Sequence, residues 1–185
     1  MGSANPRRVR VSIVLCVLVI GALGLITPLG RASLHRVARI AGLEVKPRPV
    51  REGEPLRPMA LQALTGQAYT IDRNTHGTVV YNVFTTWCPS CREETPALSH
   101  VSNVLKARGI AMIGIDQGEP PSAVEAYAQA EHLNYPIVLD YYRASNAVLG
   151  ANVIPMTVVV RNGVVRSIFS GPITAQQLEQ LAENT

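Results

Sequence analysis

Thr78-Val79-Val80-Tyr81-Asn82-Val83-Phe84, followed at once by Thr85-Thr86-Trp87-Cys88-Pro89-Ser90-Cys91, is the stretch on which the fold turns. The first seven residues are β-branched, aromatic and nearly all apolar, the composition of a strand buried on both faces. A helix follows from about Cys91 to Arg108, with Leu98, Val101, Val104 and Leu105 on one stripe and Gly109 at its end. Pro89 suits its first turn, because no N–H is needed there. Upstream, residues 67–71 read as a short first strand. Downstream come a buried strand at 110–115, a helix at 121–132, a short strand at 136–139 and a short helix at 144–149. Residues 156–160 and 164–169 flank Asn162-Gly163, a strong hairpin signal. Thr174 caps a final helix carrying Leu178 and Leu181.

A βαβ half followed by a ββα half, with a Cys pair at the first strand-to-helix junction, is a thioredoxin-like order. The fold class expected is α/β: a central mixed sheet flanked by helices, with residues 117–149 inserted between the halves. At a helix start, unpaired N–H groups and the helix dipole favour a negative sulfur. Such placement lowers a thiol pKa from about 8.5 into a range of about 3.5 to 7.5. Cys88 then attacks a partner disulfide as thiolate, and Cys91, one turn later, attacks the mixed disulfide and releases the partner. A zinc half-site would need a second ligand pair, and His76, His100 and His132 are scattered.

The run Asn82-Val83-Phe84-Thr85-Thr86-Trp87-Cys88-Pro89-Ser90-Cys91-Arg92-Glu93-Glu94-Thr95-Pro96 resembles the TlpA/ResA/CcmG-like branch of the thioredoxin superfamily. Members commonly read N-F-W-A-T-W-C-P-x-C-x-x-E-x-P, so that Val83, Phe84 and Thr85 depart from the pattern and the rest match. The resemblance spans roughly residues 56–183 and implies a thiol–disulfide oxidoreductase with no cofactor beyond the Cys88–Cys91 pair. Asn82 stands where thioredoxin itself has a buried Asp, and an amide cannot take the resolving thiol's proton. Glu94, three residues after Cys91, matches the branch's acidic residue, which implies that it tunes or deprotonates Cys91. The plain alternative is a solvated helix charge, as Arg92 and Glu93 look to be. Pro155, in Ile154-Pro155-Met156-Thr157, matches the superfamily's cis-proline, with Ile154 offering its backbone to an extended substrate. The alternative is a proline that merely opens a strand. Trp87 and Pro89 complete the expected substrate surface, although Trp87 could equally be packing.

The N-terminal part reads differently. Residues 1–57 hold ten Lys/Arg against three Asp/Glu, whereas residues 58–185 hold seven against ten. A nucleic-acid binder concentrates basic charge on its folded domain, and this chain does the opposite. Arg7, Arg8 and Arg10 form a basic flank (1–10) before the uncharged residues 11–30. About 20 apolar residues suffice to cross a bilayer, so 11–30 reads as a transmembrane helix, with Cys16 a small hydrophobe inside it. A signal segment cleaved after Ala32 is the alternative. Arg31, Arg36 and Arg39 lie beyond it, so positive charge flanks both ends. Residues 34–41 form either an amphipathic stretch on the lipid surface or a tether. Residues 31–57 read as a basic, Pro-rich linker, with prolines at 47, 49 and 55 and another at 58 just beyond it; the domain is 58–185.

The expected protein is a monomeric dithiol reductase on the outer side of a bacterial cytoplasmic membrane. It would exchange electrons with protein thiols and disulfides, apocytochrome c among them, and with a membrane electron-transfer partner. A net oxidant is the alternative within the class, since potentials in this fold run from about −270 to about −120 mV. A copper-handling relative would carry C-x-x-x-C, and a peroxidase would carry T-x-x-C; neither stands here.

Overall fold

A computed structural model of the chain describes residues 48–183. The basic flank, the membrane or signal segment and residues 31–47 lie outside the described residues, and among those described no helix is long and apolar enough to cross a membrane. The described residues form one compact unit.

The strand that decides the fold spans Thr78–Phe84, as its composition predicts, and is the third in chain order, β3. It pairs in parallel with β4 (Ala111–Asp116) and antiparallel with β6 (Met156–Arg161). Its side chains alternate between two cores. Val79, Tyr81 and Val83 join one, and Val80 joins the other. The latter is built with Leu98, Val101 and Leu105 of helix α1 (Pro89–Ala107) and Leu178 and Ala182 of helix α4 (Ala175–Glu183). Along α1 the buried positions are 91, 94, 95, 98, 101, 102 and 105, a continuous stripe at helical spacing. The helix starts at Pro89, ahead of the expected Cys91, because Cys88 is its cap; Val104 is only half-buried.

The expected insertion consists of helix α2 (Pro121–Ala130), strand β5 (Ile137–Leu139) and helix α3 (Ala144–Leu149). Strand β5 pairs in parallel with β4 and antiparallel with β1 (Met59–Ala63). Strand β7 (Val164–Ser170) joins β6 through Asn162 and Gly163, both at positive φ, 49° and 72°, as a type I′ turn requires. With β2 (Ala68–Ile71) the sheet runs β2-β1-β5-β4-β3-β6-β7.

Two expectations are corrected. The segment 67–71 yields β2, but it is the second arm of a hairpin whose first arm, β1, lies where no strand is expected. Met59 and Leu61 alternate inward there, too short a pattern to stand out directly after Pro58. The linker also ends earlier than residue 57. Val50 and Leu56 are buried in the first core, and Val50 N–H donates to Val148 O and Leu56 N–H to Gly163 O. Prolines keep this strap extended, while its two apolar side chains fasten it to the domain.

Candidate active site

The end of β3 delivers Thr85-Thr86-Trp87 to the start of α1, where Cys88 is the N-cap with extended backbone (φ −75°, ψ 117°). Its sulfur accepts the N–H of Cys91 at 3.2 Å and lies 3.5 Å from Ser90 Oγ. Cys88 and Cys91 are joined as a disulfide with Cα atoms 5.3 Å apart. Both are buried, Cys91 almost wholly, in a small core made with Phe84, Val124, Tyr127, Ile137 and Leu139. A helix N-terminus whose free N–H points at the outer sulfur stabilises a thiolate there once the pair is reduced. Pro89 occupies the first helical position and is exposed.

The pre-hairpin loop is brought to the same place. The Ile154–Pro155 peptide is cis, Pro155 is buried, and half-buried Ile154 packs against the core that holds the two cysteines. Trp87 does not pack inside, for it is 66% exposed.

Glu94 is not a solvated charge. It is 4% exposed, and each of its oxygens has a donor: Asn82 Nδ2 to Oε1 at 2.8 Å and Ile173 N–H to Oε2 at 2.9 Å. Asn82 also donates to Thr157 Oγ1 at 3.3 Å, which ties β3, α1 and β6 together. Burial pushes the Glu94 carboxyl up to about 7, against the opposing pull of the Ile173 N–H and the Asn82 amide. An acid poised near neutrality, on the same helix face as Cys91, can hold or release a proton under working conditions. The spacing of Cys91 and Glu94 supplied the sequence signal for this neighbour.

Three residues had no such signal. Arg92, read as solvated, has its guanidinium 5.4 Å from the Tyr127 ring centroid, pairs with Glu131 at 3.2 Å and donates to Thr86 O at 3.2 Å. Asp116, fully buried at the end of β4, accepts the Glu119 N–H at 2.9 Å. Glu119 in turn accepts from both the N–H and the hydroxyl of Thr86. Residues 86 and 119 are far apart in sequence, and only the parallel pairing of β3 with β4 brings their loops together.

This fold, with a disulfide-bonded Cys88–Cys91 pair opening α1, defines a protein of the thioredoxin fold. Residues 51–183 match the Redoxin family model, and the chain belongs to that family. It is 31% identical over 109 residues to thiol–disulfide oxidoreductase ResA of Geobacillus kaustophilus, spanning 57% of this chain and 62% of the relative. The chain therefore matches less than two thirds of that relative's length. Among solved structures, a thiol:disulfide interchange protein of the thioredoxin family from Chlorobium tepidum superposes with a TM-score of 0.61 at 23% identity, covering 73% of this chain and 97% of the other. StoA from Bacillus subtilis gives 0.59 at 22% identity, covering 70% and 98%. At these identities the two structures speak for the fold.

Proposed function

We propose that this protein is a dithiol reductase of extracytoplasmic protein disulfides, tethered to the cytoplasmic membrane by residues 11–30 and working as a monomer. The observation that carries the reading is Cys88 at the cap of α1, with the Cys91 N–H directed at its sulfur. In the reduced protein the Cys88 thiolate attacks one sulfur of a substrate disulfide and expels the other as a thiol. Cys91, losing its proton, attacks the Cys88 sulfur of the mixed disulfide. The substrate leaves as a dithiol and Cys88–Cys91 is left oxidised, so two electrons pass to the substrate.

Glu94 is the group suited to take the Cys91 proton, because it lies one turn along the same buried stripe. An extended substrate segment docks on the backbone at Ile154 beside Pro155, with exposed Trp87 and Pro89 forming the rim. The resemblance of residues 82–96 to the TlpA/ResA/CcmG-like branch supports substrates in which a thiol pair must be kept reduced, apocytochrome c before haem attachment being one. A membrane electron donor would return the protein to its dithiol form.

The test is insulin reduction together with equilibration in glutathione buffers. Reduced full-length protein should cleave insulin disulfides, and its potential should lie toward the reducing end of the range, near about −250 mV or below. A potential near about −120 mV would make the protein an oxidant and overturn the direction proposed.

A further inference from the structure

At Thr86, two residues before Cys88, lies a pair of acids that the exchange chemistry does not use. Asp116 sits opposite Phe84 in the parallel register of β3 and β4. Its Oδ1 accepts the Glu119 N–H, while its buried Oδ2 meets no N–H or O–H donor among the described residues. The Glu119 carboxyl is its neighbouring acid. Both Glu119 oxygens already accept from Thr86, Oε1 from the hydroxyl and Oε2 from the N–H, each at 2.6 Å.

Ionised carboxylates only accept hydrogen bonds, so a buried carboxyl oxygen that meets no donor is costly unless it carries a proton. Asp116 Oδ2 is the oxygen with nothing else to bond, and the proton belongs there. Burial first, and Glu119 beside it second, hold the Asp116 carboxyl well above the usual range. Asp140, in the loop after β5, pushes the same way, while its own carboxylate accepts the N–H groups of Ala144 and Ser145. Across Thr86 stands Arg92, with its ion-pair partner Glu131. Thr86 is thereby held at its N–H, its hydroxyl and its carbonyl, two residues before Cys88.

We propose that Glu119 and Asp116 are positioning residues of the exchange site: Asp116, kept neutral, holds the Glu119 N–H, and Glu119 fixes Thr86 and so holds the Trp87–Cys88 turn where the Cys91 N–H meets the Cys88 sulfur. The proposal rests on the reading of Cys88 as the attacking thiol. When Asp116 loses its proton, two carboxylates face each other and the grip on Thr86 loosens. Reactivity per thiolate at Cys88 then falls at alkaline pH, although thiolate itself accumulates.

The test follows alkylation of the reduced full-length protein in detergent by iodoacetamide, with the Cys88 and Cys91 peptides quantified by mass spectrometry from about pH 6 to about pH 9.5. Corrected for thiolate fraction, the wild-type Cys88 rate should fall at the alkaline end. Asp116→Asn should abolish that fall, because its amide stays neutral at every pH. Glu119→Ala and Thr86→Val should slow Cys88 alkylation by roughly three- to tenfold throughout, and Thr86→Ser should restore it. Thr86 is only half-buried, so the Thr86 variants decide the matter even if Glu119→Ala unfolds. Wild-type rates in Thr86→Val, or an alkaline fall retained by Asp116→Asn, would overturn the proposal. Alkylation of Cys91 ahead of Cys88 in the wild type would instead overturn the assignment of Cys88 itself, and this proposal with it.

Discussion

The two sulfurs of the active disulfide have unlike surroundings. Cys91 is 1% exposed and looks inward, one helical turn from a buried carboxyl held by an amide and a backbone N–H. Cys88, itself buried at 5% exposed, follows a 66% exposed tryptophan, and Glu119, its N–H held by Asp116, grips Thr86 two residues before it. In the proposed reaction Glu94 serves proton transfer, and Asp116 with Glu119 serves geometry. On this proposal one helix start offers an attacking sulfur stabilised by N–H groups and a resolving sulfur served by a base.

Removing the outer sulfur breaks this division most severely. Cys88→Ser should reduce insulin turnover to background, a loss of at least about a thousandfold, whereas Cys91→Ser should still react once with a disulfide. Glu94→Gln comes next. The amide fills the same space but takes no proton, so release of the mixed disulfide should slow by roughly ten- to a hundredfold in stopped-flow traces, with the first attack by Cys88 nearly unchanged. Equal slowing of both steps would erase the distinction between the two sides.

Stability reports on the same acid. The folded-state value of Glu94 is raised, to about 7 from an ordinary 4.5, so the native state binds the extra proton between those values. Its contribution is therefore complete below about pH 4.5 and is lost as pH rises through about 7, by up to about 3 kcal/mol. Urea melts of the full chain should show that decline, and Glu94→Gln should flatten it. The smallest effect is expected at the rim. Trp87→Ala should change stability by less than about 0.5 kcal/mol and slow protein substrates a few-fold, leaving small disulfides nearly untouched.

The two sides also differ in how far they could be read from the residues. Strand β3, helix α1 and the Asn162-Gly163 hairpin are local patterns, with a continuous apolar run, a helical stripe and a turn dipeptide each declaring itself. Cys91 and Glu94 share one helix, so their neighbourhood follows from spacing alone. Asp116, Glu119 and Thr86 meet only because β3 and β4 lie side by side, and nothing in Asp116-Gln117-Gly118-Glu119 marks them as more than a polar loop. Strand β1 and the strap at Val50 and Leu56 were hidden for a similar reason. Each has only two inward side chains among prolines and charges, and the sheet supplies the rest of the pattern.

The most direct test of the central claim is trapping with Cys91→Ser in cells, followed by mass spectrometry of the covalent adducts. The account predicts mixed disulfides joined through Cys88 to extracytoplasmic proteins that carry thiol pairs, and none with Cys88→Ser. Adducts joined through any other residue of Cys91→Ser, or no adducts at all, would contradict it.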